Sequence, residues 1–138
     1  MKKLLIALLL LSINTIAYAD LEDWTQKEQK LYKSFVTLQA MDLMQAFAMI
    51  ECQETNPQCP FYERNPILGS HPKKGEMVMF KLATNFVLYN LLDKRIKKHD
   101  KRRTLIALNA ISIIPVINNH QIGIGIYIPI LPYKQFTK

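Results

Sequence analysis

Residues 23–52 read DWTQKEQKLYKSFVTLQAMDLMQAFAMIEC, and this stretch decides the fold. Asp23 stands where a side chain caps free backbone amides, and Gln26 three residues later completes a box-like arrangement, so a helix is expected to start here. It should run to about Cys52. From Phe35 to Ile50 the stretch is mostly apolar, yet Gln39, Asp42 and Gln45 recur every three residues and share roughly one face. Such a polar stripe either faces water or is buried against polar partners, because an unpaired buried carboxylate is strongly penalised.

Downstream, residues 53–74 are rich in Pro, Asn, Gly and charge, and Pro57, Pro60, Pro66 and Pro72 forbid a continuous helix, so an irregular connection is expected. A second helix is predicted from near Pro72, which suits a first-turn position, through Leu92. A third is predicted from Thr104 to about Asn118, with Asp100 as candidate cap and Pro115 expected to kink or end it. From Ile122 to Ile130 the pattern alternates with glycine and is strand-like, but it has no strand to pair with. It is therefore expected as an extended strip on the bundle or on a membrane surface. The fold class is mainly α: a small bundle of about three helices with an irregular Pro-rich loop and an extended C-terminal tail.

Upstream, Lys2 and Lys3 precede an unbroken apolar run from Leu4 to Leu11, followed by Ala17-Tyr18-Ala19. This is the order of a secretory signal peptide over residues 1–19, with Asp20 as the first mature residue. The run is much shorter than the roughly 20 residues needed to cross a bilayer, so cleavage is the expectation rather than a permanent anchor. Of 138 residues, about 119 then remain, enough for one small helical domain over 20–138. The expected location is the periplasm, or the inner membrane facing the periplasm.

Removing Lys2 and Lys3 lowers the formal charge from +7 to +5, much of it gathered at Lys94, Arg95, Lys97, Lys98, Lys101, Arg102 and Arg103. In an exported protein such a basic loop is expected to face anionic lipid or to mark the cytoplasmic side of a membrane. The plainer alternative is a solvated connection between helices. No aromatic interleaving accompanies the charges, so nucleic acid is not an expected partner. The second and third helices lie at the lower edge of spanning length and carry Lys81, Asn85, Asn90 and Asn109. Either a membrane hairpin, which would place the basic loop in the cytoplasm, or a soluble bundle core fits, and association with the membrane, spanning or peripheral, is the expectation.

Cys52 and Cys59, the only cysteines, have six residues between them, and an oxidising compartment favours their pairing as a disulfide. A zinc site joining both thiols to His71 is the minor alternative, since metal pairs usually sit closer together.

Between them and the second helix, Tyr62-Glu63-Arg64-Asn65-Pro66-Ile67-Leu68-Gly69-Ser70-His71-Pro72 packs an acid, a base, an amide and a histidine into a turn. Asn65-Pro66 initiates turns, Gly69 can take a left-handed backbone, and Glu63 can cap amides or pair with a buried donor. With Thr37–Asp42 and Gln45 before this motif, and Asn118-Asn119-His120-Gln121-Ile122-Gly123 after it, the chain resembles a family of small uncharacterised helical proteins of bacteria and their phages. That family carries an E-x-N-P-I-L-G-x-H-P motif and a C-terminal N-x-x-I-G motif. The resemblance implies membrane-embedded segments and no assigned activity. The Cys52–Cys59 segment and the very basic loop depart from the pattern.

The three motifs raise the expectation that Asp42, Glu63, Asn65, His71, Asn118 and His120 converge into one polar cluster. Its simplest role is to specify packing. The expected function is therefore a non-enzymatic, structural or partner-binding protein of the cell envelope, without cofactor or metal. The alternative is a small membrane-associated enzyme or metal binder centred on Asp42, Glu63, His71 and His120, with a carboxylate as base and a histidine as acid or ligand. No nucleophile elbow, phosphate loop, HExxH or CxxC accompanies the cluster.

Overall fold

A computed structural model describes residues 21, 23–63 and 65–125. The expected signal peptide, Arg64 and the tail from Ile126 onward lie outside the described residues. The chain is mainly α, with helices α1 (Gln26–Thr55), α2 (Lys74–Lys94) and α3 (Lys98–Gln121).

The start of α1 lies two residues later than the Asp23 reading. Thr25 is the N-cap: its hydroxyl accepts from the Glu28 amide, and Glu28 Oε2 accepts from the Thr25 amide at 2.7 Å. Asp23 and Trp24 instead form the turn before the helix, where the Trp24 amide donates to Leu21 O, and this buries the indole. At the start of α2 the Lys73 amide donates to Glu76 Oε2, so Pro72 falls just outside the first turn.

The basic segment is a helical corner rather than a loop. Only residues 95–97 separate α2 from α3, and Asp100 lies within the first turn of α3, not at its cap. Lys101 is turned inward over the Trp24 ring, 4.3 Å from its centroid, whereas Lys94, Arg95, Lys97, Lys98, Arg102 and Arg103 are exposed. Nor does Pro115 end α3, which continues through it to Gln121. Its end is set by Gly123 at φ +91°, with the Gly123 amide on His120 O and the Ile124 amide on Asn119 O. This is a Schellman cap, and it swings Ile124 into the core. The described start of the expected extended strip is thus a helix cap.

Hydrogen bonds fix the topology. Lys74 reaches Glu51 near the end of α1 and Asp93 accepts from the Trp24 indole near its beginning, so α2 runs antiparallel to α1. Asn109 bonds Leu31 O, Ser112 meets Gln39, and Gln45 reaches Val116 O, so α3 runs parallel to α1. Both later helices pack on α1 rather than mainly on one another. Two apolar cores result. One, around Trp24, Tyr32, Phe35, Leu92 and Leu105, lies at the N-terminal end of α1; the other, around Leu43, Phe47, Met49, Ile50, Met77 and Ile124, lies at its C-terminal end.

No described helix is long and apolar enough to cross a membrane. In α2 the polar interruptions at Lys81, Asn85 and Asn90 outweigh the apolar residues around them, so the spanning hairpin loses its support.

Candidate functional site

The polar stripe of α1 lies between the two cores and is buried against polar partners. Asp42 Oδ2 accepts from Lys81 Nζ at 2.5 Å, with both side chains less than one-fifth exposed. Lys81 also donates to Gln39 Oε1 at 3.0 Å, and Gln39 Nε2 donates to Ser112 Oγ at 2.9 Å. One chain of contacts therefore crosses all three helices. One turn further along, Gln45, only 2% exposed, donates to Val116 O at 3.0 Å and accepts from Asn119 Nδ2 at 3.3 Å. A buried amide placed this way satisfies itself and orients its neighbour.

Beside this seam opens a cleft of about 380 Å³. From α1 it is lined by Asp42, Gln45, Ala46 and Met49, and from α2 by Met77, Phe80 and Lys81. The connecting loop adds Tyr62, Glu63, Asn65 and Leu68, and the end of α3 adds Pro115, Asn118, Asn119 and Gln121, with Ile122 and Ile124 beyond. The loop is shaped by its own side chains. Glu63 Oε1 accepts from the Asn65 amide at 2.8 Å, Asn65 Oδ1 accepts from the Ile67 amide at 3.0 Å, and Gly69 takes the expected left-handed φ of +72°. Gln53 on α1 clamps the loop by donating to Phe61 O and Ser70 O. Cys52 and Cys59 stand at disulfide distance, with Cα atoms 5.7 Å apart, and brace the start of the same connection.

Of the six expected cluster residues, Asp42, Glu63, Asn65 and Asn118 line the cleft. His71 and His120 do not. His71 is exposed and pairs with its neighbour Ser70 Oγ at 2.8 Å, and His120 is exposed near the end of α3. Among the described residues, no three His, Cys, Asp or Glu side chains are arranged to hold a metal ion. The alternative reading, with Asp42 or Glu63 as base and His71 or His120 as its acid or metal ligand, finds neither histidine at the cleft.

Lys81 is the site residue that sequence reasoning passed over, treating it as a mere interruption. A signal was present: Lys81 and Asp42 each stand as a lone charge within an apolar stretch, and a buried lone charge requires a counter-charge. Asn119 and Gln121 were quoted in a motif but given no role. The chain matches no known family profile, no curated protein and no solved structure.

Proposed function

We propose that the protein is a non-enzymatic, exported envelope protein that docks peripherally on an anionic membrane through the outer faces of α2 and α3. The observation that carries this reading is the apolar surface these helices leave uncovered. On α3, Ile106, Ile111, Ile113, Ile114 and Ile117 are all 44–64% exposed, and no charged side chain occurs between Arg103 and His120. On α2, Met79, Phe86, Val87 and Leu91 are exposed in the same way, with no charge between Lys81 and Asp93. Large apolar side chains left exposed in such number mark a candidate interaction surface.

The charge pattern favours lipid as the partner. Ile106, Ile113 and Ile117 recur at helical spacing, and Arg102 and Arg103 precede them on the same side. Each of the six exposed cations of the corner contributes about 1 kcal/mol near an anionic surface. Export is supported by the order of residues 1–19 and by the Cys52–Cys59 pair, which suits an oxidising compartment. The inner membrane, and kinship with the bacterial and phage family, rest on the motif resemblance.

Flotation with phosphatidylglycerol-containing vesicles and with pure phosphatidylcholine vesicles tests the reading. The protein is expected to rise with the anionic vesicles at low salt. Ile113→Asp with Ile117→Asp should abolish flotation, and Arg102→Gln with Arg103→Gln should weaken it. A protein that stays at the bottom of both gradients contradicts the proposal.

A further inference from the structure

We propose that the cleft beside Asp42 and Lys81 binds a neutral, hydroxyl-rich ligand of sugar-ring size, so that the molecule carries a saccharide site as well as a lipid-facing surface. At about 380 Å³ the cleft falls at the small end of the range for ligand sites, which begins at about 300 Å³. It is roomy for one or two rings and too small for a folded partner.

The described lining argues against the other small-ligand classes in turn. An anion finds only one cation among the described lining residues, Lys81, and that ammonium is held by Asp42 and Gln39. A metal ion finds no set of three ligands among the described residues. A wholly apolar ligand would strip water from the carboxamides of Asn118, Asn119 and Gln121 without replacing its hydrogen bonds.

What these carboxamides do match is a hydroxyl group. Each amide presents donors and an acceptor in one plane, and each sugar hydroxyl both donates and accepts. Asp42 and Glu63 line the same cleft and bring carboxylate acceptors to it. The apolar face of a sugar ring then has Phe80 inside the cleft and the exposed Tyr62 ring at its rim to lie against. Gln45, almost fully buried, fixes Asn119 through its 3.3 Å contact, so part of the polar wall is set before any ligand arrives. The inference stands apart from membrane docking, since neither the basic corner nor the exposed isoleucines of residues 106–117 line the cleft.

The full chain, labelled with ¹⁵N, is titrated with two probes: soluble di-N-acetylchitobiose, and vesicles containing a glucosyl diacylglycerol. Side-chain amide signals of Gln45, Asn118, Asn119 and Gln121 are followed. Saturable shifts are expected, with a dissociation constant on the order of 1 mM for the soluble probe. Asn118→Ala with Gln121→Ala, both at exposed positions, should weaken binding about tenfold, while Gln58→Ala, exposed and outside the cleft lining, leaves it unchanged. Shifts with the soluble disaccharide identify a free glycan as the source, and shifts only with the glycolipid vesicles identify a lipid-borne sugar. The proposal is overturned if neither probe gives a saturable shift, if the double variant binds as well as the parent, or if inorganic phosphate produces the same shifts.

Discussion

The α1–α3 and α1–α2 interfaces solve the same packing problem in different ways. Along α3 the side-chain hydrogen bonds to α1 are neutral: Asn109 to Leu31 O, Ser112 to Gln39, Gln45 to Val116 O, and Asn119 to Gln45. Along α2 they are mostly ionic: Lys74 with Glu51 and Glu54, and Lys81 with Asp42. Only Met77 and Leu92 of α2 are buried, whereas Lys101, Leu105, Ser112 and Val116 of α3 are. The difference teaches that α3 is committed to the fold, while α2 is clipped on by charges at two points and by apolar anchors near its ends. The cleft opens where these two unlike attachments meet over α1.

The largest expected effect comes from loosening the committed side. Leu105, with no exposed surface, should cost about 3 kcal/mol when replaced by Ala, read as a lower urea midpoint with an unchanged slope. Reducing Cys52–Cys59 should cost about 2.5 kcal/mol in the chain-entropy account of so short a loop, measured by the same unfolding with and without reductant.

Next, Lys81→Met leaves Asp42 without its counter-charge and should cost about 2 kcal/mol, discounted from the fully buried case because both side chains keep some solvent contact. Adding Asp42→Leu should recover most of that loss. If it does not, the contact is not the clip the comparison requires.

Titration sharpens the contrast further. At the head of α1, burial pushes the Glu28 carboxyl up, but the Thr25 hydroxyl and amide, with Lys101 and Lys98, outweigh it and hold it below its ordinary value of 4.5. Its contribution is therefore complete above that value and lost as pH falls through the lowered one. Burial, with Tyr89 adding to it, lifts the nearby Tyr32 hydroxyl to about 12, so its contribution is complete below pH 10 and lost as pH rises towards 12. For Lys74, burial acts to lower the ammonium, but Glu51 and Glu54 prevail and raise it, so the α2 clip is complete below pH 10.5 and lost as pH climbs beyond it. Glu28→Gln should flatten the acid limb of stability against pH and leave the alkaline limb in place. The smallest effect belongs to Phe86→Ser, 69% exposed, which should change stability by less than about 0.5 kcal/mol while weakening vesicle flotation.

Much of this organisation was legible in the residues. The three helices, the irregular connection and the cysteine pair follow from apolar runs, prolines and spacing, and the Gln39, Asp42, Gln45 stripe left two outcomes, water or polar partners, of which the structure shows the second. Boundaries were less legible. The Asp23 and Thr25 positions both satisfy a capping pattern, and only burial of Trp24 against Tyr32 and Tyr89 selects the second. The helical corner was hidden because a dense run of Lys and Arg resembles a solvated loop until Lys101 is seen to stack on Trp24. Within the candidate site, proximity in motifs misled for His71 and His120, because a side chain's direction depends on the turn that carries it. Lys81 was missed because it lies in no motif, and its role exists only across a helix pair.

The most direct measurement is methyl NMR of isoleucine-labelled protein with phosphatidylglycerol vesicles carrying a nitroxide-labelled lipid. The account predicts that Ile106, Ile113, Ile114 and Ile117 broaden while the buried Ile50 and Ile124 stay sharp. Uniform broadening, or none at saturating lipid, would contradict it.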